Sequence, residues 1–125
     1  MFKSRAWRRG RSIGALGASL LFVAGLAGAH AKLTSTTPKA DSTVSSPQMI
    51  QVHFSEAIEM KLSSLKLAGS DGAAISIMAM NDAKDPTTLS IMPNASLKPG
   101  VYTVTWNIVS DDGHKGQGTF SFKVK

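Results

Sequence analysis

The sequence predicts an all-β domain, a sandwich of two antiparallel sheets built from about seven short strands. Three segments carry this prediction. Met49–Ser55 alternates between apolar and polar residues, Val101–Val109 is rich in β-branched and aromatic residues, and Thr119–Val124 alternates again. Residues that favour turns separate these segments, at a spacing typical of a sandwich.

The other predicted elements are shorter. Strands are expected near Lys32–Thr36, Ser64–Leu67, Ala74–Met78 and Thr88–Ile91, and a short helical turn over Ala57–Leu62. Turn signals lie between them at Pro38, Ser45–Pro47, Gly69–Gly72, Asp85–Pro86 and Lys98–Gly100. Trp106, Tyr102 and the alternating phenylalanines are expected to fill the space between the two sheets.

Residues 1–29 have the features of a secretory signal peptide that is cleaved during export. Basic residues end at Arg11, an uncharged apolar segment follows from Ile13 to Leu26, and Ala27–Ala29 offers the small residues that signal peptidase requires. An uncleaved membrane anchor is the alternative, but the segment is rich in glycine and barely reaches the length of about 20 residues that spans a bilayer. We therefore expect an exported domain of residues 30–125.

The charge of the chain is unevenly distributed, which excludes some classes of partner. The formal net charge is +6, but from His30 onward there are nine lysines, no arginine and eight acidic residues. A nearly neutral domain without arginine is poorly suited to binding nucleic acid. The chain has no cysteine, so it has neither disulfides nor a thiolate metal site.

Cleavage after Ala29 would make His30 the first residue of the mature protein. Its α-amine and its ring Nδ1 could then chelate one metal ion together. The amine has a pKa of about 7.7–8.0, so a strongly bound metal displaces its proton readily at neutral pH. Among divalent first-row metals, copper gains most from nitrogen ligands in a square-planar or tetragonal arrangement. His30 is therefore a candidate copper ligand.

The second half of a copper site is predicted between the last two long strands. Asp112 and His114 are two residues apart, so in an extended segment their side chains point to the same side. Gly113 between them permits a tight or bulged backbone. A carboxylate and an imidazole would complete a set of three nitrogens and one oxygen with His30. An Asp-Gly pair is also an ordinary turn dipeptide, which is the alternative interpretation.

A series of motifs carries a family resemblance along the whole mature chain. They are HAKL at His30–Leu33, VHFSE at Val52–Glu56, LKPGVYTVTW at Leu97–Trp106 and SDDGHKGQGTFSF at Ser110–Phe122. In this order they resemble the CopC family of periplasmic copper-resistance proteins. The resemblance implies an immunoglobulin-like Greek-key β-sandwich that binds Cu(II) through His30, Asp112 and His114. It also implies that Glu56 lies beside the metal without binding it. The alternative is that Glu56 is a solvated residue at the end of a strand.

Some CopC proteins carry a dense methionine-rich segment that binds Cu(I), and here the chain departs from the pattern. The corresponding stretch, Gly69–Pro93, contains only Met78, Met80 and Met92. All three are on the opposite phase from neighbouring apolar residues and are expected to face outward. Thioethers favour Cu(I), but methionine also fills irregular gaps in cores, so these residues are not counted as a site. His53, on the polar side of its strand, is expected to be exposed and without function.

The function predicted from these features is not enzymatic. The protein would buffer or carry Cu(II) in the periplasm as a monomer and could hand it to an inner-membrane copper transport protein. Two alternatives are a small copper monooxygenase of the histidine-brace type and a metal-free immunoglobulin-like interaction module. A hydrolase is rejected, because Ser110 and Asp111 lie too close in sequence to His114 for a triad and no oxyanion-hole motif accompanies them.

Overall fold

Two β-sheets packed face to face make up the part of the chain that the computed structural model describes, residues 31–82 and 84–125. The predicted signal peptide and His30 lie outside these residues. The strands are β1 (Leu33–Thr37), β2 (Thr43–Val44), β3 (Ile50–Phe54), β4 (Ser64–Ala68), β5 (Ala74–Ile75), β6 (Ile77–Ala79), β7 (Thr88–Pro93), β8 (Gly100–Val109) and β9 (Lys115–Val124). Within the described ranges, no helix is long and apolar enough to cross a membrane.

The order of the strands is that of an immunoglobulin-like sandwich. One sheet has the order β1-β3-β7-β6 and the other β2-β9-β8-β4-β5. The first corresponds to strands A-B-E-D of the immunoglobulin fold, and β9-β8-β4 corresponds to G-F-C. All pairs are antiparallel except β2 with β9. The predicted all-β sandwich is confirmed, with nine strands in the described residues rather than about seven.

The prediction of one strand over Ala74–Met78 is wrong. Ile75 belongs to β5 and pairs with Leu67 in the five-stranded sheet, whereas Ile77 belongs to β6 and pairs with Pro93 in the other sheet. The chain therefore crosses from one sheet to the other at Ser76. Both isoleucines are half-buried and pack against the core, so the alternation is the same on either side of the crossing and cannot reveal it.

The core lies between the sheets, and β3 shows how the sequence pattern creates it. Ile50, Val52 and Phe54 are buried, whereas Gln51 and His53 between them are half-buried on the outer face. This alternation is the one predicted, because successive side chains of a strand point to opposite faces. Burial of such apolar side chains is the main contribution to the stability of a small domain without disulfides.

Large aromatic side chains close the core, as expected. The ring of Tyr102 stacks on that of Phe122, with centroids 5.8 Å apart. Trp106 is half-buried and meets the ring of Phe54 edge-on at 5.2 Å. It also lies directly over Gly118, where an added Cβ would be only 2.4 Å from the indole Cζ2 atom. The glycine therefore provides the space that the indole occupies.

The helical turn predicted over Ala57–Leu62 is shorter in the structure. Only Met60–Leu62 forms a 3₁₀ helix. The residues before it are tied to β8, since the Glu59 amide donates to the carbonyl of Val109 at 2.7 Å. This segment therefore joins the end of β3 to the end of β8, next to the candidate metal centre.

Candidate metal centre

The hairpin between β8 and β9 positions the two predicted ligands that the structure describes. The Gly113 amide donates to the Ser110 carbonyl at 2.8 Å, and the Ser110 amide donates to the His114 carbonyl at 2.8 Å. Gly113 has φ +89°, a left-handed conformation that glycine adopts without steric cost. These bonds are those of a three-residue hairpin loop with a tight turn and a bulge at the glycine.

This loop brings the side chains of Asp112 and His114 into contact. Nδ1 of His114 lies 2.9 Å from Oδ1 of Asp112, and the His114 amide donates to the same oxygen at 3.3 Å. Both side chains remain partly open to solvent. The two residues were expected to share a side of an extended segment. They do come together, but a turn produces the contact, because the left-handed Gly113 reverses the chain between them.

Ser110 is hydrogen-bonded to both residues of this pair. Its side chain is buried, with 1% of its surface exposed. Its hydroxyl donates to Oδ1 of Asp112, and the His114 amide donates to the Ser110 oxygen at 3.2 Å. The Ser110 hydroxyl, followed by His114, lowers the pKa of the Asp112 carboxyl from 3.8 to about 2. Asp112 is therefore an anion at neutral pH, the form in which a carboxylate binds metal.

The loop is held against the end of β3 by backbone contacts. The Asp111 amide donates to the Ala57 carbonyl at 3.1 Å, and Ile58 forms a bridge with Ser110. Near the start of the described chain, the Lys32 amide donates to the Ser55 hydroxyl at 2.9 Å, and the Ser55 amide donates to the Lys32 carbonyl at 2.8 Å. The segment before β1 and the hairpin loop thus flank the same stretch of chain.

Of the other two predicted site residues, the structure describes only Glu56. His30 lies outside the described residues. Glu56 is half-buried beside Ala57, but residues 31–82 and 84–125 contain no group of three or more His, Cys, Asp or Glu side chains arranged to hold a metal. The described part of the chain therefore contributes two ligand candidates, Asp112 and His114. The role of Glu56 stays a prediction.

The three methionines face outward, as expected. Met78 and Met80 are exposed, and Met92 is half-buried on the face opposite the buried Ile91. Met78 and Met92 are direct partners across β6 and β7, so their side chains lie next to each other on the outer face of the four-stranded sheet.

His53 differs from the prediction of an exposed residue. It is half-buried, and its Nδ1 atom lies 2.8 Å from the hydroxyl oxygen of Thr88 on the neighbouring strand. Alternation assigns His53 to the outer face but does not reveal its partner across the sheet. The supporting contact of Ser110 was missed for a different reason. The sequence motif includes this serine, but nothing in the motif indicates that its hydroxyl is buried beneath the loop.

Comparison with known proteins agrees with this architecture. The family model of the CopC domain matches residues 33–125. Copper resistance protein C of Pseudomonas syringae pv. tomato is 37% identical over 111 residues, covering 84% of this chain and 88% of the relative. The crystal structure of PcoC, a methionine-rich copper resistance protein from Escherichia coli, is 37% identical with a TM-score of 0.70, covering 78% of this chain and 100% of PcoC.

A third relative is much longer than this chain. The copper transport protein CutJ of Bacillus subtilis is 27% identical over 107 residues, which cover 84% of this chain but only 20% of CutJ. A domain of this kind therefore also occurs within a larger copper transport protein. Given the family match over residues 33–125 and the identity with curated copper resistance proteins, the chain belongs to the CopC family of copper resistance proteins.

Proposed function

We propose that the chain is exported, cleaved between Ala29 and His30, and binds Cu(II) in the periplasm through His30, Asp112 and His114. The mature domain of residues 30–125 buffers or carries the ion as cargo. The observation that carries this proposal is the contact between Asp112 and His114 in the β8–β9 loop, with Nδ1 and Oδ1 2.9 Å apart. The two curated relatives described above are named for copper resistance and copper transport rather than for a catalysed reaction.

The separation of these two atoms suits a copper site. Two ligand atoms that each lie about 2.0 Å from a metal ion and subtend a right angle are about 2.8 Å apart. The 2.9 Å between Nδ1 of His114 and Oδ1 of Asp112 is the length of a hydrogen bond, and it is also close to this spacing of adjacent ligands. An imidazole nitrogen and a carboxylate oxygen also match the donor atoms that Cu(II) takes in such sites.

The path of the chain supports the participation of His30. Lys32 is hydrogen-bonded to Ser55, and Asp111 to Ala57. Ser55 and Ala57 are two residues apart, at most about 7 Å of chain. His30 precedes Lys32 by two residues, so its amine and imidazole need to cross only a short distance to reach the hairpin loop. The cleaved terminus would add two nitrogens to the nitrogen and oxygen of the loop.

The partner we propose is an inner-membrane copper transport protein. The match to CutJ supports this choice. It covers 20% of CutJ, so a similar domain forms one part of a protein named for copper transport. The exposed position of the loop at the end of the sandwich suits the transfer of an ion to another protein. We propose that the protein acts as a monomer and that Glu56, beside Ala57, supports the ligands without binding the metal.

The decisive experiment compares two mature proteins that differ only at the terminus. One begins at His30, and the other carries one additional alanine before it. We expect the extended protein to bind Cu(II) at least about tenfold more weakly in competition with a chelator, a difference of about 1.4 kcal/mol, because the chelating amine becomes an amide. Equal affinities would contradict the role of the terminus.

The same preparations separate the alternative functions. Oxidation of a polysaccharide by the copper-loaded protein with reductant and oxygen would favour a monooxygenase of the histidine-brace type. A protein that begins at His30, folds normally and binds no copper against the chelator would be an interaction module. Mass spectrometry of the exported protein checks the cleavage site, since a first residue other than His30 would overturn the proposal.

A further inference from the structure

We infer that Ser110 is a positioning residue of the copper site, one that binds no metal but sets the orientation of both ligands in the loop. This inference rests on the proposed function. It starts from the position of Ser110, whose buried hydroxyl lies directly after β8 on the same inward face as Trp106 and Ile108. A hydroxyl that is 1% exposed needs partners, since an unpaired buried polar group costs about 1–3 kcal/mol.

The partners of this hydroxyl are the two candidate ligands. The oxygen accepts the amide hydrogen of His114 at 3.2 Å, and the hydroxyl lies within donating distance of Oδ1 of Asp112 and of the His114 carbonyl, the latter at 3.2 Å. One buried atom therefore contacts the backbone of one ligand and the carboxylate of the other. Because Oδ1 also faces Nδ1 of His114 at 2.9 Å, the orientation of the carboxylate determines the separation of the ligand atoms.

The backbone of Ser110 is rigidly held, so the hydroxyl is a fixed reference point. Its amide and carbonyl form the two hydrogen bonds of the hairpin loop, and it bridges to Ile58 on the opposite side. The Asp112 side chain, by contrast, is 43% exposed, and without the hydroxyl its carboxylate would be held only by the backbone amide and Nδ1 of His114. Removal of the hydroxyl should therefore loosen the carboxylate while the loop backbone stays in place.

The test compares Ser110→Ala with the wild type, both beginning at His30. Loss of contacts that orient metal ligands typically weakens binding 10- to 100-fold, so we expect a decrease of about tenfold or more in Cu(II) affinity. We also expect a changed electron paramagnetic resonance spectrum of the bound Cu(II), because the carboxylate oxygen of Asp112 is no longer fixed. If Ser110 had only a structural role, Ser110→Ala would lower the thermal stability of the metal-free protein and leave the spectrum unchanged.

Ser90 offers a matched control. It is also a buried serine, 6% exposed, and its hydroxyl oxygen accepts a hydrogen bond from the side-chain Nε2 of Gln51 at 3.2 Å. It lies on β7, in the other sheet. We expect Ser90→Ala to reduce the stability of the protein, because it also removes a buried hydroxyl. The copper affinity and the spectrum should not change. Wild-type affinity and spectrum in Ser110→Ala would overturn the inference.

A second pair of variants, compared only with each other, separates the hydrogen bond of Ser110 from the shape of its side chain. Ser110→Thr keeps the hydroxyl and Ser110→Val replaces it with a methyl group of the same shape, so the pair differs only in the hydrogen bond. Stronger copper binding by the threonine variant is expected, and equal binding overturns the inference. If the wild type itself binds no Cu(II), the proposed function fails, and the inference about Ser110 fails with it. Failure of this inference alone leaves wild-type copper binding intact.

Discussion

Nδ1 of His114 lies 2.9 Å from Oδ1 of Asp112 because the β8–β9 loop folds back on itself between them. The loop turns at Gly113 and is closed by the hydrogen bonds of Ser110. The loop thereby brings together the imidazole nitrogen and the carboxylate oxygen of the proposed copper site. The other ligand proposed, the amino terminus at His30, comes from a separate part of the chain.

Replacement of Asp112 by alanine should separate the role of this carboxylate from that of local charge. We expect Asp112→Ala to weaken Cu(II) binding at least about tenfold, because it removes the oxygen ligand. Asp111 is the matched control, since it is exposed, carries the same charge and is adjacent in the same loop. Competition titration should give near-wild-type affinity for Asp111→Ala, and similar losses in both variants would assign the effect to charge alone.

The conformation of Gly113 leads to a prediction about both stability and binding. Alanine at φ +89° is strained, and we expect Gly113→Ala to lower the free energy of unfolding by about 1–2 kcal/mol. Gly72 is the control, because it has φ +81° in a turn remote from the loop, and neither position has an atom that would contact an added Cβ. Urea denaturation should give similar losses for both variants, whereas only Gly113→Ala should weaken copper binding. A loss of affinity in Gly72→Ala would contradict this.

The packing of Trp106 on Gly118 can be tested in β9 itself. A Cβ at Gly118 would lie 2.4 Å from the indole, so Gly118→Ala forces the ring to move and should cost about 1–3 kcal/mol. Gly116, two residues earlier on the same face, would place its Cβ 3.5 Å from Ile108, an ordinary contact. Chemical denaturation should therefore show a much smaller effect for Gly116→Ala. Equal losses would mean that the indole does not depend on the space at Gly118.

The lowered pKa of Asp112 predicts an acid-dependent component of stability. Its pKa falls from 3.8 to about 2 in the folded protein, so its contribution is present above pH 4 and is lost as the pH falls from about 4 to about 2. In metal-free protein, Asp112→Asn should lose less stability than the wild type across this range. Asp85, whose pKa is also lowered, chiefly by the Thr87 hydroxyl, contributes equally to both proteins. Urea denaturation at pH 2.5 and pH 5 provides the measurement, and parallel losses would contradict the assignment to Asp112.

Local pattern was sufficient for the parts of the molecule in which the chain interacts with its own neighbours in sequence. The alternation of Ile50, Val52 and Phe54 follows from the pleat of a strand, and it correctly predicted which side chains are buried. The loop at Ser110–His114 is also local, since its turn and its ligand pair lie within five residues. For this reason the amino-acid sequence alone was enough to pair Asp112 with His114.

Only the tertiary structure decided the features that depend on neighbouring strands. Alternation cannot show that Ile75 and Ile77 pair with different sheets, because both face the same core. Nor can it show that His53 meets Thr88. The contacts of the Ser110 hydroxyl also depend on the fold. The hydroxyl is buried on the inward face at the end of β8, so its hydrogen-bond partners are Asp112 and His114. Periodicity determines which face a side chain occupies, whereas packing in three dimensions determines what it meets there.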